Sequence, residues 1–574
     1  MSVTNKDVAG IFSEMADLTE LQDGNAFRIR SFRRVAQVLE DLHESVTSLY
    51  ESGALSDIPG VGKGTVRRVG QIIETGTCDD HRELREKMPA GLLDMLQISG
   101  MGPKTVKLVY ERLGVSSVDE LEAACKAGHL AELPRMGEKT QDRILKSIES
   151  WRKRSGRMPL GEAIPAGKRF LDALGALGCV ERCDLAGSSR RRRETIGDLD
   201  VLVASREVAP VMDAFVAQPL VAEVLLRGDT KCSVRLESGL QVDLRVLEPE
   251  SYGAALHYFT GSQMHNIAIR DRGKRAGLRI NEYGVYREPT EEGQEPVLIG
   301  GASEEEVFAA VKLPYIPPEL RENRGEIEAA EKGTLPELIT DADLRGDLHV
   351  HTDAAEGQDS LEAMVDAAIE LGRTYLAITD RISSPEKLAE QRTAIAMLQE
   401  KCDEIRLLAG VEVVIGPDGE LSLDEATLRE AEWVIACAHD GFDQSGEKML
   451  ARLERAMKSG LVDCIGHPAN RILGGRPGAP IDHDKLIALA KETGVFIELD
   501  SDPRRLDLDA AHCRQAREHD VMVALCSDAR SAAELARTEY GIYTARRGWL
   551  EVANVLTAQP VEVLLERRAA RLSG

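Results

Sequence analysis

Gly187-Ser-Ser-Arg-Arg-Arg-Arg-Glu-Thr-Ile-Gly-Asp-Leu-Asp200, running on into the apolar Val201, Leu202 and Val203, is the stretch from which the chain's organisation can be read. Asp184, Leu185 and Ala186 before it suit a short strand ending in a turn, where a glycine lets main-chain N–H groups approach phosphate oxygens. Arg190, Arg191, Arg192 and Arg193 carry permanently charged forks that match phosphate geometry, so they read as clamps for a triphosphate or a DNA backbone. Asp198 and Asp200 lie two apart at the start of a β-like run, and the strand period places both carboxylates on one face. The alternating residues 241–246 offer Asp243 from a strand that can pair alongside. Three carboxylates so placed can bridge two Mg2+ ions about 3.5–4 Å apart and hold an attacking hydroxyl and a leaving pyrophosphate in line. On its own, Gly-Asp-Leu-Asp is also compatible with a plain surface turn.

A second block narrows the reading: Tyr258-Phe-Thr-Gly-Ser262, then Asn266 and Arg270, then Ile280-Asn-Glu-Tyr283. Together the two blocks resemble the nucleotidyltransferase site of the X family of DNA polymerases, the group that contains the beta-type gap-filling enzymes. The resemblance implies that Asp198, Asp200 and Asp243 are catalytic ligands of Mg2+ or Mn2+. It implies that Gly187, Ser188, Arg191 and Gly197 hold the triphosphate of a deoxynucleotide and that Tyr258, Phe259 and Gly261 guard its sugar. Asn266 would reach the base, and Arg270 the template strand.

The 574 residues suggest about four domains, and 43% apolar residues are enough to bury real cores. A net charge of −25 argues against simple non-specific nucleic-acid binding, but leaves room for a local basic stripe. Ten cysteines without a Cys-x-x-Cys pair suit reduced thiols rather than a disulfide framework or a zinc module. Neither a charged-then-apolar leader nor an apolar run near 18 residues is present, so a cytoplasmic protein that makes no membrane contact is expected.

In chain order, Val8, Ile11, Phe12 and Met15, then Val35, Val38, Leu39 and Leu42, recur at helical spacing. Between them residues 25–34 interleave basic and aromatic side chains, a patch suited to a DNA 5′-phosphate or to a solvated helix face. An internal repeat follows: Ile58-Pro-Gly-Val-Gly62, Ile98-Ser-Gly-Met-Gly102 and the looser Leu133-Pro-Arg-Met-Gly137. In a helix–hairpin–helix such glycines make a tight turn whose free N–H groups bind a backbone phosphate without reading sequence. Gly60, Gly62, Lys63, Gly100, Gly102 and Lys104 are the expected DNA contacts, with Lys139 at the third turn, which lacks the first glycine. Beta-type polymerases carry a Schiff-base lysine in the first hairpin domain, and that position falls on Arg68 here. A guanidinium cannot form the imine, so the usual lyase chemistry is not expected, with Lys63 the nearest amine.

Trp151 and the basic residues 152–157 read as the entry to a palm. The expected division is a helical domain with the first hairpin (1–80), a fingers-like hairpin domain (81–155), a nucleotidyltransferase palm (156–250), a thumb (251–318), a linker (319–342) and a last domain (343–574). Over that last part short apolar strands alternate with helices, at 376–378, 407–409, 434–436, 496–499 and 521–525, which favours a parallel barrel with functional residues at strand C-termini. Asp347-Leu-His349-Val-His351, Asp380, Glu412, His439, Gly466-His467-Pro468 and Ser527-Asp528 fall there. Imidazole and carboxylate suit Zn2+ or Mn2+, whereas His483, His512 and His519 read as ordinary structural histidines.

This half resembles the PHP phosphoesterase domain of bacterial X-family polymerases, in which a trinuclear cluster cleaves phosphodiesters. The family's Ser-Asp-Gly is Ala355-Glu356-Gly357 here, and two expected histidines are Arg381 and Arg530. The three altered positions serve one metal in the family pattern. Two ions rather than three are therefore expected, one on His349, His351, Glu412 and Asp528, the other on Glu412, His439 and His467. Arg381 and Arg530 would place fixed charge beside Glu356, leaving a 3′–5′ exonuclease that is weakened, altered or dead. The whole reads as a multidomain α plus α/β protein, a monomer acting on gapped or nicked DNA with deoxynucleoside triphosphates. Two rivals stand beside that reading: a metal-dependent DNA nuclease whose polymerase half only holds DNA, and a non-enzymatic scaffold for DNA ends.

Overall fold

The computed structural model describes residues 5–22, 24–40, 46–58, 61–89, 91–96, 98, 100–133, 136–137, 140–141, 143–145, 147–148, 157–289, 294–442, 444–476 and 478–573. It divides into two compact units, Met1–Gly156 and Arg157–Gly574.

The first unit is helical. Helices α1 (Asn5–Leu21) and α2 (Ala26–Glu40) bury Val8, Phe12 and Met15 against Phe32, Val35 and Leu39, the three- and four-residue steps that put side chains on one helix face. The repeat is visible in main-chain bonds. Val61 N donates to Ile58 O, Met101 N to Ile98 O and Met136 N to Leu133 O, each at 2.9–3.0 Å. Thr65, Thr105 and Thr140 each donate N–H to the glycine three residues before, at 2.8 Å. The third turn thus keeps the hairpin bonds without the first glycine. Gly62 and Gly102 cap α3 (Lys63–Thr75) and α4 (Pro103–Leu113), beside the exposed Lys63 and Lys104. Gly100 lies at φ +94°, where a side chain is disfavoured. Gly60, Lys139, Arg135 and the basic connector 151–156 lie outside the described residues.

The second unit opens with α5 (Leu160–Gly175) packed on a five-stranded sheet. Its strands are β1 (Arg182–Leu185), β2 (Asp198–Ala204), β3 (Val221–Arg227), β4 (Lys231–Leu236) and β5 (Gln241–Leu247), in the order β1-β2-β5-β4-β3. Only β2 and β5 pair in parallel; the other neighbours are antiparallel. The four-residue α6 (Gly187–Arg190) leads from β1 toward β2. Next come α7 (Tyr252–Thr260), α8 (Gln263–Arg275) and a three-stranded sheet of β6 (Leu278–Asn281), β7 (Gly284–Arg287) and β8 (Val297–Gly300).

Residues 319–342, expected to be a linker, are built into the unit. Arg321 is fully buried, Ile339 joins the barrel core, and α9 (Glu326–Lys332) buries Glu326 against His265 at 2.7 Å. The Pro-Pro and acidic composition suggests a spacer, but the charges here are partnered across the fold. Seven parallel strands then follow in sequence order: β9 (Gly346–Val350), β10 (Tyr375–Ile378), β11 (Arg406–Val414), β12 (Trp433–Cys437), β13 (Cys464–Ile465), β14 (Phe496–Asp500) and β15 (Val523–Cys526). A Val350–Ala529 bridge brings the last strand beside the first, and the barrel is nearly closed. The two-residue β13 had no sequence signal of its own. All ten cysteines are free, and no helix among the described residues is long and apolar enough to cross a membrane.

Candidate functional site

Two clusters of acidic and polar side chains lie in the second unit. In the first, parallel register sets Asp198 opposite Gln241 and Asp200 opposite Asp243. Neighbouring strands therefore deliver the carboxylates side by side, as the alternation predicts. Gly187 has φ +61°, and a Cβ there would collide with Asp200 Oδ2. Burial raises the Asp200 carboxyl, and Asp198 and Asp243 push it further, to about 7. Lys231 Nζ lies 3.2 Å from Asp243 Oδ2, and Gln241 Nε2 donates to Asp243 Oδ1 at 2.8 Å. Arg245 and Lys231 act against the rise at Asp200, and carboxylate oxygens are the donor type that a hard divalent cation takes.

The arginine run departs from expectation. Arg190 forks onto Glu304 at 2.7 and 2.8 Å and donates to Thr260 Oγ1 at 2.8 Å. Arg191 donates to Glu322 at 3.0 Å and to Thr260 O at 2.8 Å, and Arg192 lies over the Tyr543 ring at 4.2 Å. Arg193 is half-exposed, 3.7 Å from Glu322. Three of the four expected clamps are therefore fastened to protein groups more than a hundred residues away, Arg190 and Arg191 to the buried carboxylates of Glu304 and Glu322 and Arg192 to the ring of Tyr543. Ser188 O accepts from Arg193 N at 3.0 Å, and Gly197 passes close to Arg157.

The aromatic block ends α7. Tyr258 and Phe259 meet edge to face with centroids 5.1 Å apart, and Arg245 covers Phe259 at 4.4 Å. Asn266, expected to reach a base, donates to Tyr258 O at 2.6 Å and Gly261 O at 3.2 Å, leaving its buried Oδ1 without a partner. Its amide thus fixes the turn, and Gly261 is required there because a Cβ would collide with Asn266 Oδ1. Arg270 follows one helical turn after Asn266 on α8.

The second cluster lies at the C-terminal ends of the barrel strands. His439, His467 and Asp528 each fall two residues past a strand end, His349 and Glu412 within β9 and β11, and His351 just beyond β9. His349, His351 and Asp528 form one group able to hold a metal; Glu412, Cys437, His439 and His467 form another. His351 Nε2 stands 3.3 Å from Asp528 Oδ1 and 3.6 Å from Glu412 Oε2, and His439 Nε2 lies 2.5 Å from Glu412 Oε1. His349 Nε2, both His351 nitrogens, His467 Nδ1 and Asp528 Oδ1 are buried without hydrogen-bond partners, as ligands awaiting a cation would be. Burial opposes charge on Glu412, yet His349 and His439 hold it well below the usual carboxylate range; burial pushes His467 down to about 3. His467 at φ +26° and Asp528 at φ +48° keep left-handed backbone rare for such residues.

A third group, His351, Glu356 and Glu412, is bridged by a guanidinium. Arg381 Nη1 is 3.0 Å from Glu356, and its Nη2 is 3.2 Å from Glu412 and 3.1 Å from His439 Nε2. Arg530, expected beside Glu356 as well, makes its described contacts through its main chain, to Glu534 and Gln358. Sequence reasoning missed Glu498, which takes His349 Nδ1 at 2.7 Å and His467 N–H at 2.6 Å and so orients two candidate ligands at once. A glutamate inside the apolar run Phe496-Ile-Glu-Leu499 was the available signal. Also unforeseen, Asp500 Oδ2 is buried nearby without a hydrogen bond, 3.6 Å from Arg505 Nε. His483 and His512 stack at 3.6 Å away from the cluster, as structural histidines do.

Hairpins, a palm carrying clustered carboxylates, a thumb and a histidine-rich parallel barrel define a class: a DNA-handling nucleotidyltransferase joined to a phosphoesterase-type domain. Residues 3–78 match the helix-hairpin-helix domain family, 92–150 the SAM-like helix-hairpin-helix tandem, 255–322 the DNA polymerase beta thumb and 347–502 the PHP domain. The chain is 35% identical to DNA polymerase/3′-5′ exonuclease PolX of Bacillus subtilis, over 98% of its own length and 99% of that protein. It is 24% identical to rat (Rattus norvegicus) DNA polymerase lambda over 52% of its length and 53% of the other. The chain belongs to the bacterial X-family DNA polymerases that carry a C-terminal PHP domain.

Proposed function

We propose that this chain fills short gaps in DNA by nucleotidyl transfer at Asp198, Asp200 and Asp243, and that its PHP barrel trims 3′ ends with a two-ion centre. The observation that carries the first half is the Asp200–Asp243 register, with Gly187 pressed against Asp200. Mg2+ or Mn2+ on that triad would lower the charge on the nucleotide phosphates and activate the primer hydroxyl. The chain's own part is positional. Gly187 lets the main chain approach the triad, Ser188 and Arg193 face the triphosphate, and the Tyr258–Gly261 turn, pinned by Asn266, walls the sugar. Arg191 reaches the triphosphate by releasing or sharing Glu322. Arg270 follows the template, and Gly62, Lys63, Gly102 and Lys104 grip phosphates along gapped or nicked duplex.

In the barrel, His349, His351, Glu412 and Asp528 hold one ion and Glu412, His439 and His467 another, Mn2+ or Zn2+ by donor type. Arg381 takes the place of a third, which supports an exonuclease of altered rather than full strength. Arg68 donates to Asp80 at 2.6 Å, and as a guanidinium it supplies no lyase chemistry.

The test follows product length on a one-nucleotide gapped duplex and on a recessed 3′ end, with Mg2+ or Mn2+, with and without nucleotides. Extension is expected to vanish in Asp243→Ala, and nucleotide-independent shortening in His349→Ala. Lack of extension by the wild type with either ion would sink the polymerase reading. Shortening that survives His349→Ala would sink the assignment of the barrel.

A further inference from the structure

The loop between Ser188 and Asp198 is held by the barrel as well as by the palm. Helix α10 (Thr538–Arg547) presents Tyr540, Tyr543 and Arg547 on one face, at steps of three and four residues, and both tyrosines pack against the palm core. Arg547, whose side chain is largely buried, donates to Arg191 O at 2.6 Å and to Glu322 at 3.1 Å, the same carboxylate that Arg191 uses. Arg192 sits at φ +56° with its guanidinium over Tyr543. Such backbone is strained in a non-glycine residue and persists only where the surroundings impose it. Two residues on, Glu194 takes both terminal nitrogens of Arg471, at 2.6 and 3.1 Å. Arg471 follows Asn470, whose amide bonds Ala438 O directly before His439. The palm holds the same segment from its other side: Leu160 N donates to Glu194 O at 2.9 Å, Thr195 and Ile196 pair with Pro159 and Met158, and Arg191 donates to Thr260 O at 2.8 Å.

We propose that Arg547 and Arg471 of the PHP barrel are positioning residues for nucleotidyl transfer. They set the path of the loop that carries Ser188 at one end and Asp198 at the other. The barrel is thereby part of the polymerase site whatever its own ions do, which gives a chain with Arg381 among its barrel ligands a reason to retain the domain. This inference rests on the gap-filling reading for its kinetic readout only.

The experiment uses the full chain. Arg471→Ala, Arg547→Ala, Glu194→Gln and the Glu194→Gln/Arg471→Ala pair are compared with wild type by hydrogen exchange of peptides covering residues 187–199, and by steady-state gap filling. Faster exchange in that segment is expected while the rest of the palm exchanges as before. KM for the incoming nucleotide should rise about tenfold with a smaller change in kcat, since displacement of the order of 1 Å is costly at a reacting centre. The pair should be no worse than its worse single member, and Arg547→Lys should recover part of the loss. Glu194→Gln keeps the side-chain size and serves if an arginine variant fails to fold. Unchanged exchange at 187–199, or KM within about twofold of wild type in folded Glu194→Gln and Arg471→Ala, overturns the proposal. If the wild type extends nothing, the polymerase reading falls, while the exchange data still judge whether the barrel holds the loop.

Discussion

Gly187 shows how one residue can be needed twice over. Its φ of +61° is costly for any side chain, and a Cβ would strike the Asp200 carboxylate. Gly187→Ala should therefore lower kcat/KM for gap filling at least about 100-fold while lowering stability by only about 1–2 kcal/mol. Gap-filling kinetics and thermal unfolding on one preparation read both. Arg381 makes a residue-scale case of the opposite kind, a cation fixed where His351, Glu356 and Glu412 converge. Elemental analysis of the full chain after dialysis, with Asp243→Ala present to empty the palm, should find two tightly held ions. Arg381→His should bring a third, lost again when Glu356 becomes Ala. An unaltered count would show that the guanidinium does not decide the stoichiometry.

Elements are joined by buried carboxylates shared between arginines. Glu304 opens the helix after β8 and takes both Arg190 from α6 and the fully buried Arg321. Burial acts to raise its carboxyl, but the two guanidiniums outweigh that and hold it down at about 2. Glu322 is likewise held at about 2 among Arg191, Arg547 and Arg193. The folded values lie below the ordinary 4.5, so both contributions are fully present above that pH and disappear as it falls toward 2. The melting temperature should decline through that window. Glu304→Gln should start lower at neutral pH and decline less steeply, and parallel curves would refute the role. Nothing in the sequence foretold these bonds. Arg190 and Glu304 belong to no shared period, and only folding sets them face to face.

For the whole molecule, the supposed spacer at 319–342 matters most. Its packing into the palm–thumb–barrel unit means that residues 157–574 should unfold in one calorimetric transition rather than separate palm, thumb and barrel steps. Resolved transitions for palm and barrel would contradict it. The sequence determined the parts list. Period-two alternation was enough to put Asp198, Asp200 and Asp243 on adjoining strand faces, the repeated glycine turns announced the hairpins, and strand-end histidines and carboxylates announced the barrel site. These signals are local, or repeat with the geometry of one element. Tertiary structure alone decided that Arg190, Arg191 and Arg192 meet protein groups, that Glu498 bonds both His349 and His467, that Arg381 rather than Arg530 reaches Glu356 and Glu412, and that barrel arginines bond Arg191 O and Glu194. Each of those outcomes is a competition between distant partners for one charge or lone pair, and which partner wins depends on how the elements pack.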